Sequence, residues 1–291
     1  MIDGHELRPL VDESVLLGLG PIVDERGHLG PDRAETIDAL RRYVNEARDL
    51  HASAVTIIGT EPIRRAADST RLAVELEAAT GCQVHVVDHE EEALLTLLGV
   101  TGGRPIEVDM AVVDVGGGSS EMVLIGPGRD PVAGGLRVGS ARLTASIVRH
   151  DPPTEDEIAR LRAESRHRLA SAPRGRPSIM VAVGGTATNL LRVIPAAQVD
   201  RTLTRRHLEQ ALAVLATEPA AEAALHHGTS VKRARMLPAG AAILEALLDH
   251  YDLDSLLVSD AGVREGAILV VAHAGAAWRD QLPWLAHGWS A

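Results

Sequence analysis

A chain of 291 residues, 45% of them hydrophobic, can bury the core of one large domain or of two ordinary ones. Its 40 acidic against 29 basic residues leave a net charge of −11. That balance excludes a nucleic-acid binder held by a basic face and restricts any polyanion to a local site of arginines and backbone N–H groups. Cys82 is the only cysteine, so no disulfide framework exists and a reducing cytoplasm is the expected compartment. The N-terminus has no signal pattern, and no apolar run nears the roughly 18 residues that span a bilayer, so no membrane partner is expected.

Residues 1–20 alternate loosely through Leu7, Leu10, Val15 and Leu17 and read as one or two strands. Gly30-Pro31 then predicts a helix start, with Ile37, Leu40, Val44, Ala47 and Leu50 at helical spacing. Ala54 to Ile58 reads as a buried strand. A helix capped at Asp68 or Ser69 and closed by Gly81 follows, then a strand over Gln83 to Val87. Asp88-His89-Glu90-Glu91-Glu92 opens a helix; acidic residues there favour the helix dipole, and His89 reads as a solvated cap residue rather than a metal ligand. Thr101 to Pro105 is the expected linker, dividing an N-terminal domain, 1–105, from a C-terminal domain, 106–291.

The stretch Val112 to Ile125, VVDVGGGSSEMVLI, is the most informative in the chain. Two apolar runs flank Gly116-Gly117-Gly118-Ser119-Ser120, which fits a hairpin whose turn offers backbone N–H groups, with two hydroxyls, to a phosphate. Asp114 enters the turn and Glu121 leaves it, bracketing a place for a divalent ion or an attacking water. Beyond it, Leu143 and Ile147 mark a helix, and Thr154 with Glu157 forms a capping box for the next. Ser178 to Val183 is a strand running directly into Gly184-Gly185-Thr186-Ala187-Thr188 and a helix, a second phosphate-loop pattern. Pro238 is expected to start a helix carrying Ile243, Leu244, Leu247 and Leu248. A strand over Ser255 to Val258 and a turn through Ser259 to Gly266 lead to the last helix. Strand alternating with helix, with one glycine turn in each half, predicts an α/β fold of two lobes.

Seven ordered segments, TEPIRRAAD from Thr60, EEEALLTLLGV from Glu90, VDVGGGSSE from Val113, LRVGSARLT from Leu136, VGGTAT from Val183, LPAGAAILEALL from Leu237 and SDAGVREG from Ser259, resemble the exopolyphosphatase and guanosine pentaphosphate phosphohydrolase family. The resemblance implies an actin-like ATPase (ribonuclease H-like) α/β fold of two domains with the site in the cleft between them. It also implies Mg²⁺-dependent release of terminal phosphate from inorganic polyphosphate or guanosine pentaphosphate. Carried over, the catalytic glutamate falls on Glu92, with Glu91 beside it, and the phosphate-contacting arginine on Arg64. The metal ligands fall on Asp114 and Glu121. Phosphate binding falls on Gly116, Gly117, Gly118, Ser119 and Ser120 and on Gly184, Gly185 and Thr186. Homodimerisation is a further expectation of the resemblance.

The family's opening strand and first phosphate loop have no counterpart here, since the sequence begins where the second strand should be ending, at Ile2-Asp3-Gly4-His5. The favoured expectation is that this piece lies upstream of the sequence given. A non-catalytic sensor of polyphosphate or guanosine tetraphosphate is the alternative, and a sugar or acetate kinase of the same superfamily a third reading.

Overall fold

The computed structural model describes residues 2–3, 6–15 and 17–289, so Gly4 and His5 lie outside the described residues. The chain opens with two short strands, β1 (Ile2–Asp3) and β2 (Glu6–Leu7), paired antiparallel. It does not continue as strand to residue 20. Gly18, at φ 71°, turns it into helix α1 (Leu19–Arg26), where Leu19 and Val23 stand one helical turn apart on the buried side. Helix α2 (Arg33–Asp49) begins three residues after Gly30, because Gly30–Asp32 first winds a 3₁₀ turn. Strand β3 (Ile57–Gly59), helices α3 (Glu61–Arg65) and α4 (Ser69–Thr80) and strand β4 (Val84–Val86) follow. β3 and β4 pair in parallel with Ile57 opposite Val84. Val23, Leu29, Ala66, Leu72 and Leu76 pack beneath them.

Asp68 stands at the start of α4 without capping it. Its carboxylate accepts from the Leu29 and Gly30 N–H groups at 2.9 and 3.1 Å and pairs with Arg33 at 2.6 Å, tying α4 to the loop before α2. Burial pushes this acid up, but those donors outweigh it and hold the pKa at about 2.

Helix α5 (His89–Thr101) leads into the hairpin β5 (Met110–Val115) and β6 (Ser120–Ile125), then β7 (Val132–Leu136) and helices α6 (Ser140–Ile147) and α7 (Glu155–Leu169). Next come β8 (Ile179–Val183), α8 (Gly184–Val193), β9 (Thr202–Thr204), α9 (Arg205–Leu215), α10 (Ala220–His226) and α11 (Val231–Tyr251). The last elements are β10 (Ser255–Val258), α12 (Val263–Ala274) and α13 (Trp278–Leu285). Thr154 and Glu157 do form the expected capping box. Pro238 does not start a helix: α11 begins at Val231, where the Ser230 hydroxyl accepts from the Arg233 N–H, and runs through the proline. Helix packing along a buried face of alanines and leucines outweighs the one hydrogen bond that a proline removes.

The main sheet is ordered β7-β6-β5-β8-β10-β9, parallel among β5, β8 and β10 and antiparallel at both edges. β5 is apolar on both faces, as a central strand covered by helices must be. Ala111, Val113 and Val115 face a core shared with α6, α7, α8, α9 and α11, while Met110 and Val112 face α5, α12 and α13. Although it precedes residue 105, α5 therefore packs on the sheet of the C-terminal segment. Against it lies α12 at a separation only glycine permits. A Cβ on Gly266 would overlap the Leu95 carbonyl, and one on Gly99 the Gly262 carbonyl.

Candidate active site in the cleft

Three acidic side chains and one arginine converge above the carboxyl end of β5. Asp114 is the penultimate residue of β5 and stands directly opposite Glu121 on β6, so the antiparallel register places both carboxylates on the same face at the mouth of the hairpin. Glu92 arrives from the first turn of α5, and both it and Glu121 are buried. Arg64, at the end of α3, donates to Glu92 Oε2 at 2.9 Å and to the Val87 carbonyl at 2.6 Å, and its second nitrogen lies 3.7 Å from Glu121 Oε1.

Electrostatics follow from that crowding. Burial, then the charges of Glu121 and Glu92, push Asp114 up to about 8. Glu92 is pushed up to about 7, by burial first and by Glu121 second, with Arg64 pulling the other way. Three carboxylates this close face one guanidinium, and oxygen donors of this kind suit a hard divalent cation. Asp114 and Glu121 fit such an ion on that ground.

The two glycine turns flank the acids. Gly116–Ser119 closes the hairpin, with the Gly116 N–H donating to the Ser119 carbonyl. Gly184 starts α8 at φ 80°, where a Cβ would lie 2.5 Å from Asp114 Oδ1, so glycine is what lets this helix begin against the acid. The first N–H groups of α8 have no partners within the helix and point out of its start. Thr186 anchors one turn to the other, its hydroxyl donating to the Val115 carbonyl at 2.6 Å.

Contacts within the fold engage several of the expected site residues. The Ser120 hydroxyl is fully buried and donates to the Val138 carbonyl at 2.6 Å, so it faces away from the turn. The Thr186 hydroxyl is committed to Val115, leaving only its backbone N–H for an anion. Glu91 does not stand with Glu92: it closes a capping box with Asp88, accepting from the Asp88 N–H at 2.9 Å, and pairs with Arg279 of α13. Consecutive helix residues are about 100° apart, so the two glutamates face different neighbours. His89 is no solvated cap; its Nδ1 lies 2.8 Å from Glu121 Oε1 and 2.9 Å from the Arg64 guanidinium. The spacing of His89 and Glu92, three apart on one helix, is the signal that reveals it.

Other groups at the site carried no signal in the sequence. Glu61 on α3 is buried beneath the hairpin turn, where a Cβ on Gly118 would lie 2.6 Å from its Oε2, and it pairs with Arg65 and with Arg142 of α6. Arg142 also donates to the Gly118 carbonyl at 2.9 Å. Arg233 of α11 lies so close to the start of α8 that a Cβ on Gly185 would overlap its guanidinium.

A two-lobed α/β frame, with an acidic cluster between a helix start and a hairpin mouth, has the architecture of the actin-like ATPase fold. The chain belongs to the Ppx/GppA phosphatase family, whose model matches residues 1–274. It is 28% identical over 285 residues to Exopolyphosphatase 1 of Mycobacterium tuberculosis, covering 91% of this chain and 81% of that protein. To Exopolyphosphatase 2 of the same organism it is 29% identical, covering 92% and 90%. Among solved structures, the Ppx/GppA family member of Aquifex aeolicus superposes with a TM-score of 0.77 at 27% identity, covering 89% of this chain and 88% of that one. An exopolyphosphatase from Cytophaga hutchinsonii shares the fold with a TM-score of 0.79 at 20% identity.

Proposed function

We propose that this chain is an exopolyphosphatase-type phosphohydrolase that releases terminal phosphate from inorganic polyphosphate, from guanosine pentaphosphate, or from both. The observation that carries the reading is the convergence of Glu92, Glu121 and Asp114 with Arg64 beside the Gly116–Ser119 turn and the start of α8. Family membership and the names of the mycobacterial relatives point the same way.

In this reading the Gly116–Ser119 turn and the start of α8 hold successive phosphates through backbone N–H groups, and Arg64 meets the charge that develops on the transferred phosphoryl group. Glu92, with its proton affinity raised toward neutrality, orients water and accepts its proton. Asp114 and Glu121 would hold Mg²⁺, which would supply positive charge to phosphate oxygens. A single cysteine, buried, suits the reducing cytoplasm.

The test is to incubate the protein with Mg²⁺ and long-chain polyphosphate, guanosine pentaphosphate, or ATP plus sugars, reading free phosphate and binding together. Release from polyphosphate or guanosine pentaphosphate that needs a divalent ion and disappears in Glu92→Ala is the expected result. Binding without release would favour a sensor of polyphosphate or guanosine tetraphosphate, and unchanged release in Glu92→Ala would retire the assignment of the base.

A further inference from the structure

His89, Glu92 and Glu121 each offer one ligand atom, and these atoms lie within 4.8 Å of one another. His89 and Glu92 are three residues apart at the start of α5, so one rigid helical turn presents both, and Glu121 faces them from β6. His89 bridges the cation and one of the acids. Its Nδ1 is within 2.9 Å of an Arg64 nitrogen, which can only donate, and within 2.8 Å of Glu121 Oε1, which as a carboxylate can only accept. The tautomer with its hydrogen on Nδ1 donates to Glu121 and leaves Nε2, 3.4 Å from the same Arg64 nitrogen, to accept. Arg64 already sets a positive charge against all three groups, and a metal cation in its place would meet the imidazole nitrogen and the two carboxylates as electron-pair donors.

We propose that His89, Glu92 and Glu121 form a binding site for a borderline-soft divalent transition-metal ion such as Zn²⁺, sharing Glu121 with the hard-ion site and differing from it by His89 and Glu92 in place of Asp114. An imidazole with two carboxylates selects zinc-like ions over Mg²⁺, which prefers oxygen ligands and keeps its waters. The Arg64 guanidinium occupies the same place and must withdraw when the ion binds. Resting on the proposed hydrolase reading, the consequence is regulatory: an ion on Glu92 removes the group that positions water, so Zn²⁺ opposes Mg²⁺-supported hydrolysis.

The experiment has a direct arm and a kinetic one. Titration calorimetry with Zn²⁺, and the visible absorption of added Co²⁺, are measured on the full chain in millimolar Mg²⁺ for the unaltered protein, His89→Ala and His89→Asn. Circular dichroism confirms that each variant is folded. The expected result is one tight Zn²⁺ per chain, a Co²⁺ spectrum with nitrogen ligation, and at least about a tenfold loss of affinity in both variants. In the second arm, Zn²⁺ lowers phosphate release by the unaltered protein and loses that potency in the variants. Equal Zn²⁺ affinity with and without the imidazole would overturn the proposal. Because the first arm reads metal binding alone, it decides the point even if no phosphate substrate is hydrolysed, which separates this inference from the functional reading it extends.

Discussion

Replacing Glu92 by glutamine should stabilise the protein while disabling it. The amide keeps the shape of the side chain and an acceptor for Arg64, and it deletes a charge that the site holds at a cost. That cost follows from proton affinity, which rises from the ordinary glutamate value of 4.5 to about 7, with the opposing pull of Arg64 already included. Carried into free energy, the displacement is about 3 kcal/mol at alkaline pH. The sign is fixed by linkage. Between 4.5 and 7 the folded protein binds a proton that the unfolded chain does not, so stability rises as pH falls through that window, and the glutamine advantage fades with it. Thermal unfolding in EDTA should show Glu92→Gln melting roughly 4 to 8 °C above the unaltered protein at pH 8.5 and level with it near pH 4.5. Phosphate release should fall by about 10² to 10⁴-fold in the same variant. If glutamine lowers Tm at both pH values, the ionised carboxylate is stabilised by Arg64 more than burial penalises it, and the electrostatic account of this site is wrong.

Three other outcomes can be checked with the same instruments. Gly266→Ala forces a methyl group into the Leu95 carbonyl, which as helix backbone cannot yield; a loss of about 1 to 3 kcal/mol is expected by thermal or denaturant unfolding, and a neutral result would mean that α5 and α12 separate at no cost. Asp68 is held at about 2, so its contribution is present above the ordinary aspartate value near 4 and lost as pH falls toward 2; Asp68→Asn should lower stability at pH 6 and flatten the acid limb of the melting curve, and an unchanged limb would contradict the assignment. Glu91→Gln should lower Tm modestly through loss of the Arg279 pair while phosphate release stays within about threefold, and a loss as deep as that of Glu92→Gln would return Glu91 to the chemistry.

The hairpin around Gly116–Gly118 was legible because its composition admits one local structure, and the strand that runs into Gly184 was legible for the same reason. Period and punctuation locate such elements without tertiary information. Side-chain direction is another matter. Ser120 looks equivalent to Ser119 in a list of letters, but the alternation of β6 turns its hydroxyl onto Val138. Glu91 and Glu92 look alike until the helix separates them by a quarter turn. Pro238 misleads because local propensity is overridden by a helix face that fills the core. Arg142 and Arg233 reach the glycine turns from helices that only the folded topology brings near.

The backbone contact between α5 and α12 has a mechanical meaning. Helix α5 carries His89 and Glu92 at one end and is wedged at the other, near Gly99, against a helix it touches main chain to main chain, while its flank rests on the strands that bear Asp114 and Glu121. All three carboxylates thus ride on one stiff block. Arg64 rides on α3, outside it. Any relative swing of the two lobes would leave the spacing of the acids untouched and alter chiefly the reach of the arginine. In such a swing the negative charge would stay with the frame, and the positive charge would be the part that moves.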